Sequence, residues 1–248
     1  MQNKLNTLSG DYDTINPVEK YRHILRRTHV MGPIPFITVE GPIGVGKTSL
    51  AKAISEHFQF HLLREIVDEN PFLDKFYDDI EEWSFQTEMF FLCNRYKQLE
   101  DIEKHYLSQE KSVVADYHIL KNIVFAKRTL KDAQQFDKYL KIYDILTADM
   151  PRPNVIIYLN AGLDTLLSRI EKRGRDFEKK ISPLYLKQLS LDYDEYMEAF
   201  EEKHPDIPVL RFNGDEVDFV QRQDDLELIL KQLETTLKEG VHHHESSN

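Results

Sequence analysis

The chain has 248 residues, 41% hydrophobic and 30% charged, with a formal net charge of −11. That length and composition suit one globular domain of ordinary to large size, or two small ones, and the negative charge argues against general binding to the phosphate backbone of nucleic acid. The one cysteine, Cys93, leaves no intrachain disulfide to form, which fits a reducing cytoplasm, and its apolar surroundings predict a buried packing role.

In chain order, residues 1–30 are polar and include a basic patch, YRHILRR (21–27). They lack an apolar signal core, and no stretch of the chain approaches the roughly 18–20 apolar residues of a membrane span. Met31 stands five residues before the first strand-like run. Residues 1–35 are read as an N-terminal extension outside the fold, an ordered arm being the alternative. Residues 36–240 are read as the folded domain, and 241–248, which include HHHESSN, as a tail.

FITVE (36–40), FHLLRE (60–65), VVADY (113–117), VIIYLN (155–160) and PVLRF (208–212) read as strands. Helical patterns fall between them at 47–58, 81–107, 133–148, 163–172, 183–202 and 225–238. Such alternation predicts an α/β fold, a parallel sheet of five strands with helices on both faces.

GPIGVGKT (41–48) follows the first strand and opens the first helix, the context that G-x-x-x-x-G-K-[ST] requires. Its glycines turn backbone N–H groups inward around phosphate oxygens, and the helix adds its positive dipole end. The cradle comprises Gly41, Pro42, Ile43, Gly44, Val45, Gly46, Lys47, Thr48 and Ser49. Lys47 can reach the β- and γ-phosphates, and the Thr48 hydroxyl can ligate Mg²⁺. The chain shows no N-K-x-D or T-K-x-D guanine-reading motif and no D-x-x-G after a strand, which weakens a GTPase-switch reading.

REIVDENPFLDKFYDDIEEWSF (64–85) follows the second strand. Glu65 falls at the strand end, the edge where open α/β sheets bind ligands. It can take a proton from an attacking hydroxyl, or be a surface glutamate in a charged loop. RIEKRGR (169–175) reads as a helix end capped by Gly174, with Lys172 and Arg173 at the negative dipole end. It also reads as a lid whose arginines neutralise a transferring phosphoryl group.

Together, EGPIGVGKT, EIVDENPFLDKFY, WSF and RIEKRGR resemble the deoxyribonucleoside kinase family, from Phe36 to about the last helix. Within the family the chain looks like the bacterial deoxyguanosine kinase branch. The resemblance implies a P-loop kinase-like five-stranded parallel sheet, a homodimer, ATP or another nucleoside triphosphate as phosphate donor, Mg²⁺, and transfer to a deoxynucleoside 5′-hydroxyl. It implies Glu65 as general base and Arg169, Arg173 and Arg175 as lid arginines. It places Tyr77 and Glu178 at the 3′-hydroxyl and Phe125 against the base. Without the resemblance, Tyr77 and Phe125 read as ordinary core aromatics. One motif departs. Where the family has Asp-Arg-Ser or Glu-Arg-Ser after the third strand, this chain has Asp116-Tyr117-His118. Asp116 can still serve Mg²⁺, but the arginine is absent, and His118 is read as structural.

In the helix predicted from 81, Phe85, Glu88, Leu92, Arg95 and Leu99 share a face. Glu88 and Arg95 are two turns apart, roughly 10 Å, too far for an ordinary ion pair along a helix. The family usually has glutamine at the position of Glu88. A carboxylate only accepts hydrogen bonds, and guanine offers adjacent donors at N1 and N2, so Glu88 fits guanine, with Arg95 donating to O6 and N7. The plainer reading pairs Glu88 with a lysine or arginine elsewhere. The sequence thus predicts a cytoplasmic, Mg²⁺-dependent deoxyguanosine kinase that uses ATP or another NTP, binds neither nucleic acid nor membrane, and forms a homodimer. A broader purine deoxynucleoside kinase and a non-catalytic P-loop nucleotide-binding module are the alternatives.

Overall fold

The computed structural model describes residues 34–67 and 69–245, with side chains as far as 239. The expectations for residues 1–33 and for the end of the tail, 246–248, lie outside the described residues. Five strands form one sheet: β1 (Phe36–Glu40), β2 (His61–Leu63), β3 (Val113–Ala115), β4 (Val155–Asn160) and β5 (Val209–Asn213). Their order is β2-β3-β1-β4-β5, and every pairing is parallel, as the sequence predicts. Ile37 pairs with Val114 on one side and with Val155 on the other, so β1 lies at the centre. Every residue of β1 and β3 is buried. Successive side chains point to opposite faces, so helices must cover the sheet on both.

Parallel strands need crossover connections, and helices make them. They are α1 (Lys47–Phe58), α2 (Leu73–Asp78), α3 (Ile80–His105), α4 (Lys121–Thr129), α5 (Ala133–Thr147), α6 (Leu163–Arg173), α7 (Pro183–Lys203) and α8 (Gln223–Glu245). No helix among the described residues is long and apolar enough to cross a membrane. The backbone of α8 continues beyond its predicted end at 238.

Helix α3 starts where the Asp79 carboxylate accepts the Glu82 N–H. Its buried residues, Ser84, Thr87, Glu88, Leu92, Arg95, Leu99 and Ile102, recur at helical spacing. Leu92, Leu99 and Ile102 enter a core with Phe36, Leu63, Val113 and Tyr139. Beside that buried face, Phe85, Met89, Phe90 and Cys93 form a shallow apolar groove with Phe72, and Phe85 and Met89 also pack against the core. Cys93 is exposed there, contrary to the buried role expected from its neighbours. The neighbours are apolar because they line a surface groove, so local composition did not report burial.

Candidate active site

The C-terminal ends of β1, β2 and β3 converge on one cavity of about 320 Å³, within the size range of small-molecule sites. Gly44, Gly46, Lys47 and Thr48 line it beside Glu65, Glu88, Arg95 and Asp116. Gly41 and Gly46 adopt φ of +145° and +108°. A Cβ on Gly41 would collide with the Leu159 carbonyl oxygen, and one on Gly46 would lie 3.0 Å from the Phe219 ring, so the cradle requires glycine at both. Lys47 Nζ donates to the carbonyls of Gly41 (2.8 Å) and Pro42 (2.9 Å). Burial pulls its ammonium down to about 7, repulsion from Lys121 adds to this, and Glu40, Glu65 and Asp116 oppose it. Ile43 and Ser49 complete the cradle wall.

Asp116 ties the strand ends together. Its Oδ2 accepts the Thr48 hydroxyl at 2.6 Å, and its Oδ1 accepts the Glu65 N–H at 2.6 Å. The two residues predicted to serve Mg²⁺ are therefore adjacent hard oxygen donors at the edge of the phosphate cradle. Among the described residues no cluster of three or more His, Cys, Asp or Glu could cage a metal.

Glu65 is almost fully enclosed. Its Oε1 accepts Nε (3.1 Å) and Nη2 of Arg95, and its Oε2 accepts Lys121 Nζ at 2.7 Å. Burial alone would raise its pKa, but Lys121 and Arg95 outweigh burial and hold the carboxyl well below the usual range. Sequence reasoning missed Lys121. The signal was its position five residues after Asp116 and four before Phe125, on a helix that the hydrophobic pattern did not reveal. Neither Tyr117 nor His118 lines the cavity. The Tyr117 hydroxyl donates to Gln98 (3.0 Å), and His118 Nδ1 accepts the Leu120 N–H (3.2 Å). Burial pulls the His118 imidazole down to about 3, which fits a neutral structural residue.

Glu88 is 1% exposed. Its Oε1 accepts the Thr129 hydroxyl at 3.0 Å, while Oε2 is buried without a partner. Burial pushes its carboxyl up to about 7 against the pull of Arg95. Arg95 is engaged differently from the sequence expectation. Besides holding Glu65, its Nη1 donates to Asn122 Oδ1 (2.8 Å), and Asn122 Nδ2 donates to the Tyr139 hydroxyl (2.9 Å). It thus spans the carboxylate at the strand ends and the part of the cavity near Glu88. Thr129 and Asn122, which set these orientations, were also missed.

Tyr77, Phe125, Arg173, Arg175 and Glu178 line the same cavity. Tyr77 stacks parallel to Phe177 at 6.5 Å, and burial raises its phenol. Phe125 meets Tyr193 edge-on at 6.2 Å, with Lys121 Nζ 5.4 Å from its ring centre. Arg173 grips Glu178 through two bonds of 2.9 and 2.6 Å, and Arg175 approaches the same carboxylate at 3.6 Å. Arg169 stands apart from the cavity lining. It donates to the carbonyls of Val45 (2.9 Å) and Gly214 (2.8 Å), bridging the cradle to the turn after β5.

A phosphate cradle, an enclosed carboxylate pinned by two cations and a second carboxylate with one bare oxygen suit transfer of a phosphoryl group to a polar acceptor. The family model described as deoxynucleoside kinase matches residues 37–238. Deoxyguanosine kinase of Bacillus subtilis is 56% identical over 199 residues, which are 80% of this chain and 96% of that one. The deoxyadenosine/deoxycytidine kinase of the same organism is 31% identical over 208 residues, 82% of this chain and 94% of that one. The structure of deoxyadenosine kinase from M. mycoides with products dCMP and a flexible dCDP bound superposes with a TM-score of 0.69 at 26% identity, covering 81% of this chain and 99% of that one.

Proposed function

The chain belongs to the deoxynucleoside kinase family, and from that premise we propose that it transfers the γ-phosphoryl group of ATP, or of another nucleoside triphosphate, to the 5′-hydroxyl of deoxyguanosine. The observation that carries the base assignment is the unpartnered, buried Oε2 of Glu88. A buried carboxylate oxygen without a donor costs on the order of 1–3 kcal/mol, which a donating base edge would relieve. Guanine donates from N1 and N2, whereas adenine would set its N1 lone pair against the oxygen. Similarity to the B. subtilis deoxyguanosine kinase supports the same choice.

In this reading the P-loop backbone and Lys47 hold the triphosphate, and Glu65 takes the 5′-hydroxyl proton. Arg95 faces the base with the N–H groups that Glu65 and Asn122 leave over. Tyr77 and Glu178 meet the 3′-hydroxyl, and Phe125 packs on the base plane. Arg173 and Arg175 close over the transferring group, while Arg169 braces the cradle. Thr48 and Asp116 hold Mg²⁺, which when bound neutralises phosphate charge. The enzyme works in the cytoplasm as a homodimer, with the apolar groove on the outer side of α3 covered by a second copy. The missing arginine after Asp116 was the support for a non-catalytic module. That support weakens, because Lys121 supplies a cation to the Glu65 carboxylate.

One observation favours a broader purine reading at low pH. With its carboxyl near 7, Glu88 becomes a neutral acid below neutrality, and a protonated carboxyl can donate to adenine N1. The test is phosphorylation of deoxyguanosine, deoxyinosine, deoxyadenosine, deoxycytidine and thymidine with ATP and Mg²⁺ at pH 6 and 8, wild type beside Glu88→Gln. The expected order is deoxyguanosine first, deoxyinosine weaker for want of the 2-amino group, and deoxyadenosine gaining at pH 6 and in the variant. An unchanged base preference in Glu88→Gln would remove Glu88 from recognition.

A further inference from the structure

Lys121 is buried, with 8% of its side chain exposed, yet it projects from α4 into the cavity. A carboxylate oxygen has two lone pairs. Arg95 occupies Oε1 of Glu65 with two N–H groups, whereas among the described residues Oε2 accepts only the Lys121 ammonium. One lone pair of Oε2 therefore remains for an acceptor hydroxyl.

We propose that Lys121 is the positioning residue for Glu65: its ammonium turns the carboxylate so that Oε2, the oxygen Arg95 leaves open, receives the hydroxyl proton. The assignment rests on the kinase reading above. In the transfer, the 5′-oxygen forms its bond to the γ-phosphorus. The bond from that phosphorus to the β–γ bridging oxygen breaks, with its electron pair leaving on the nucleoside diphosphate. The hydroxyl proton moves to Oε2 of Glu65 and leaves to solvent after product release. Lys121 exchanges no proton in this sequence. Its charge opposes early protonation of Oε2, which suits a phosphoryl transfer whose transition state is loose and in which the nucleophile loses its proton late.

The charged and titratable groups around the pair are Arg95 and Glu88 of α3, Lys47 of α1, Glu40 at the end of β1, Asp116 after β3, Tyr77 of α2 and Tyr193 of α7. Among the described residues Lys121 and Arg95 are the two whose side chains bond to the Glu65 carboxylate, and Lys121 alone holds its Oε2.

The experiment is steady-state deoxyguanosine phosphorylation with ATP and Mg²⁺ for wild type, Lys121→Met and Lys121→Arg, with folding checked by circular dichroism and thermal melting. In Lys121→Met, kcat is expected to fall about 100-fold, within the range of a mispositioned general base, with KM for deoxyguanosine and for ATP each changed less than about threefold. Lys121→Arg, which keeps a cation on the carboxylate, is expected to recover most of kcat. A folded Lys121→Met with the wild-type kcat overturns the assignment, as does a loss confined to KM for ATP, which would make Lys121 a phosphate ligand. Should Lys121→Met fail to fold, Lys121→Gln, which keeps a donor without the charge, is read in the same way. A wild type that phosphorylates no deoxynucleoside would sink the kinase reading and this assignment together. An active wild type whose kcat survives in folded Lys121→Met sinks the assignment alone.

Discussion

A carboxylate 1% exposed, with one bonded and one bare oxygen, costs stability whenever it is charged. Glu88 titrates near 7 in the fold, raised by burial from its ordinary 4.5. Between those values the native state binds more protons than the unfolded chain, so stability falls as pH rises through that window and levels off above it. The shift corresponds to about 3 kcal/mol. Glu88→Gln is therefore expected to be more stable than wild type at pH 8 by up to about that amount, and nearly equal to it at pH 5, measured as urea midpoints at both pH values. Ligands push the two shifted groups in opposite directions. Guanine donors favour the carboxylate, so deoxyguanosine binding should release protons near pH 7. A triphosphate favours the ammonium of Lys47, itself near 7, so ATP binding should take protons up. Calorimetry in two buffers of different ionisation enthalpy reads both signs. Proton release on deoxyguanosine binding that persists in Glu88→Gln would show that another group titrates.

At the scale of elements, legibility followed how uniformly a segment is buried. The segments 36–40 and 155–160 were read at their true ends because they are near-continuous apolar runs. The second and third strands shrink to His61–Leu63 and Val113–Ala115, because Glu65 and Asp116 leave the sheet to build the site. Two helices escaped the pattern. Leu73–Asp78 is short, and α4 buries Lys121, Asn122 and Thr129 along with Val124 and Ala126, so its inward face is polar. A helix that buries its functional groups shows no apolar stripe, which is why the cation on Glu65 and the hydroxyl on Glu88 were hidden while the carboxylates themselves were legible. The pairing of α3 with α4 has a consequence of its own. Thr129 is the one side chain that donates to Glu88 among the described residues. Thr129→Val removes that donor with little change of shape, and losing it raises the Glu88 carboxyl further. Deoxyguanosine affinity at pH 7 is expected to drop roughly tenfold, the worth of about one hydrogen bond to a charged group, and to recover toward pH 9. A pH-independent loss would instead mean that the substitution disturbs packing between the two helices.

Across the whole molecule, an acidic chain of net charge −11 gathers Lys47, Arg95, Lys121, Arg173 and Arg175 around one cavity. The field that repels long polyanions therefore still admits a small triphosphate at a focused site. The same molecule leaves Phe72, Phe85, Met89, Phe90 and Cys93 along an apolar groove beside α3, separate from the cavity that Glu88 and Arg95 line. In a two-fold dimer a substitution there is met by its own copy, so a charge placed in the groove enters the interface twice. Cys93 is the position to use, because it is exposed and its replacement disturbs no core packing. Cys93→Glu is expected to convert a dimer to a monomer in sedimentation equilibrium at micromolar concentration. Glu88 and Arg95 lie on the buried side of the same helix, so the monomer should keep its base preference. A wild type that sediments as one chain at that concentration would take the second copy off the groove. A Cys93→Glu monomer that had also lost its preference for deoxyguanosine would show that the dimer contact holds α3 in the register the base site needs.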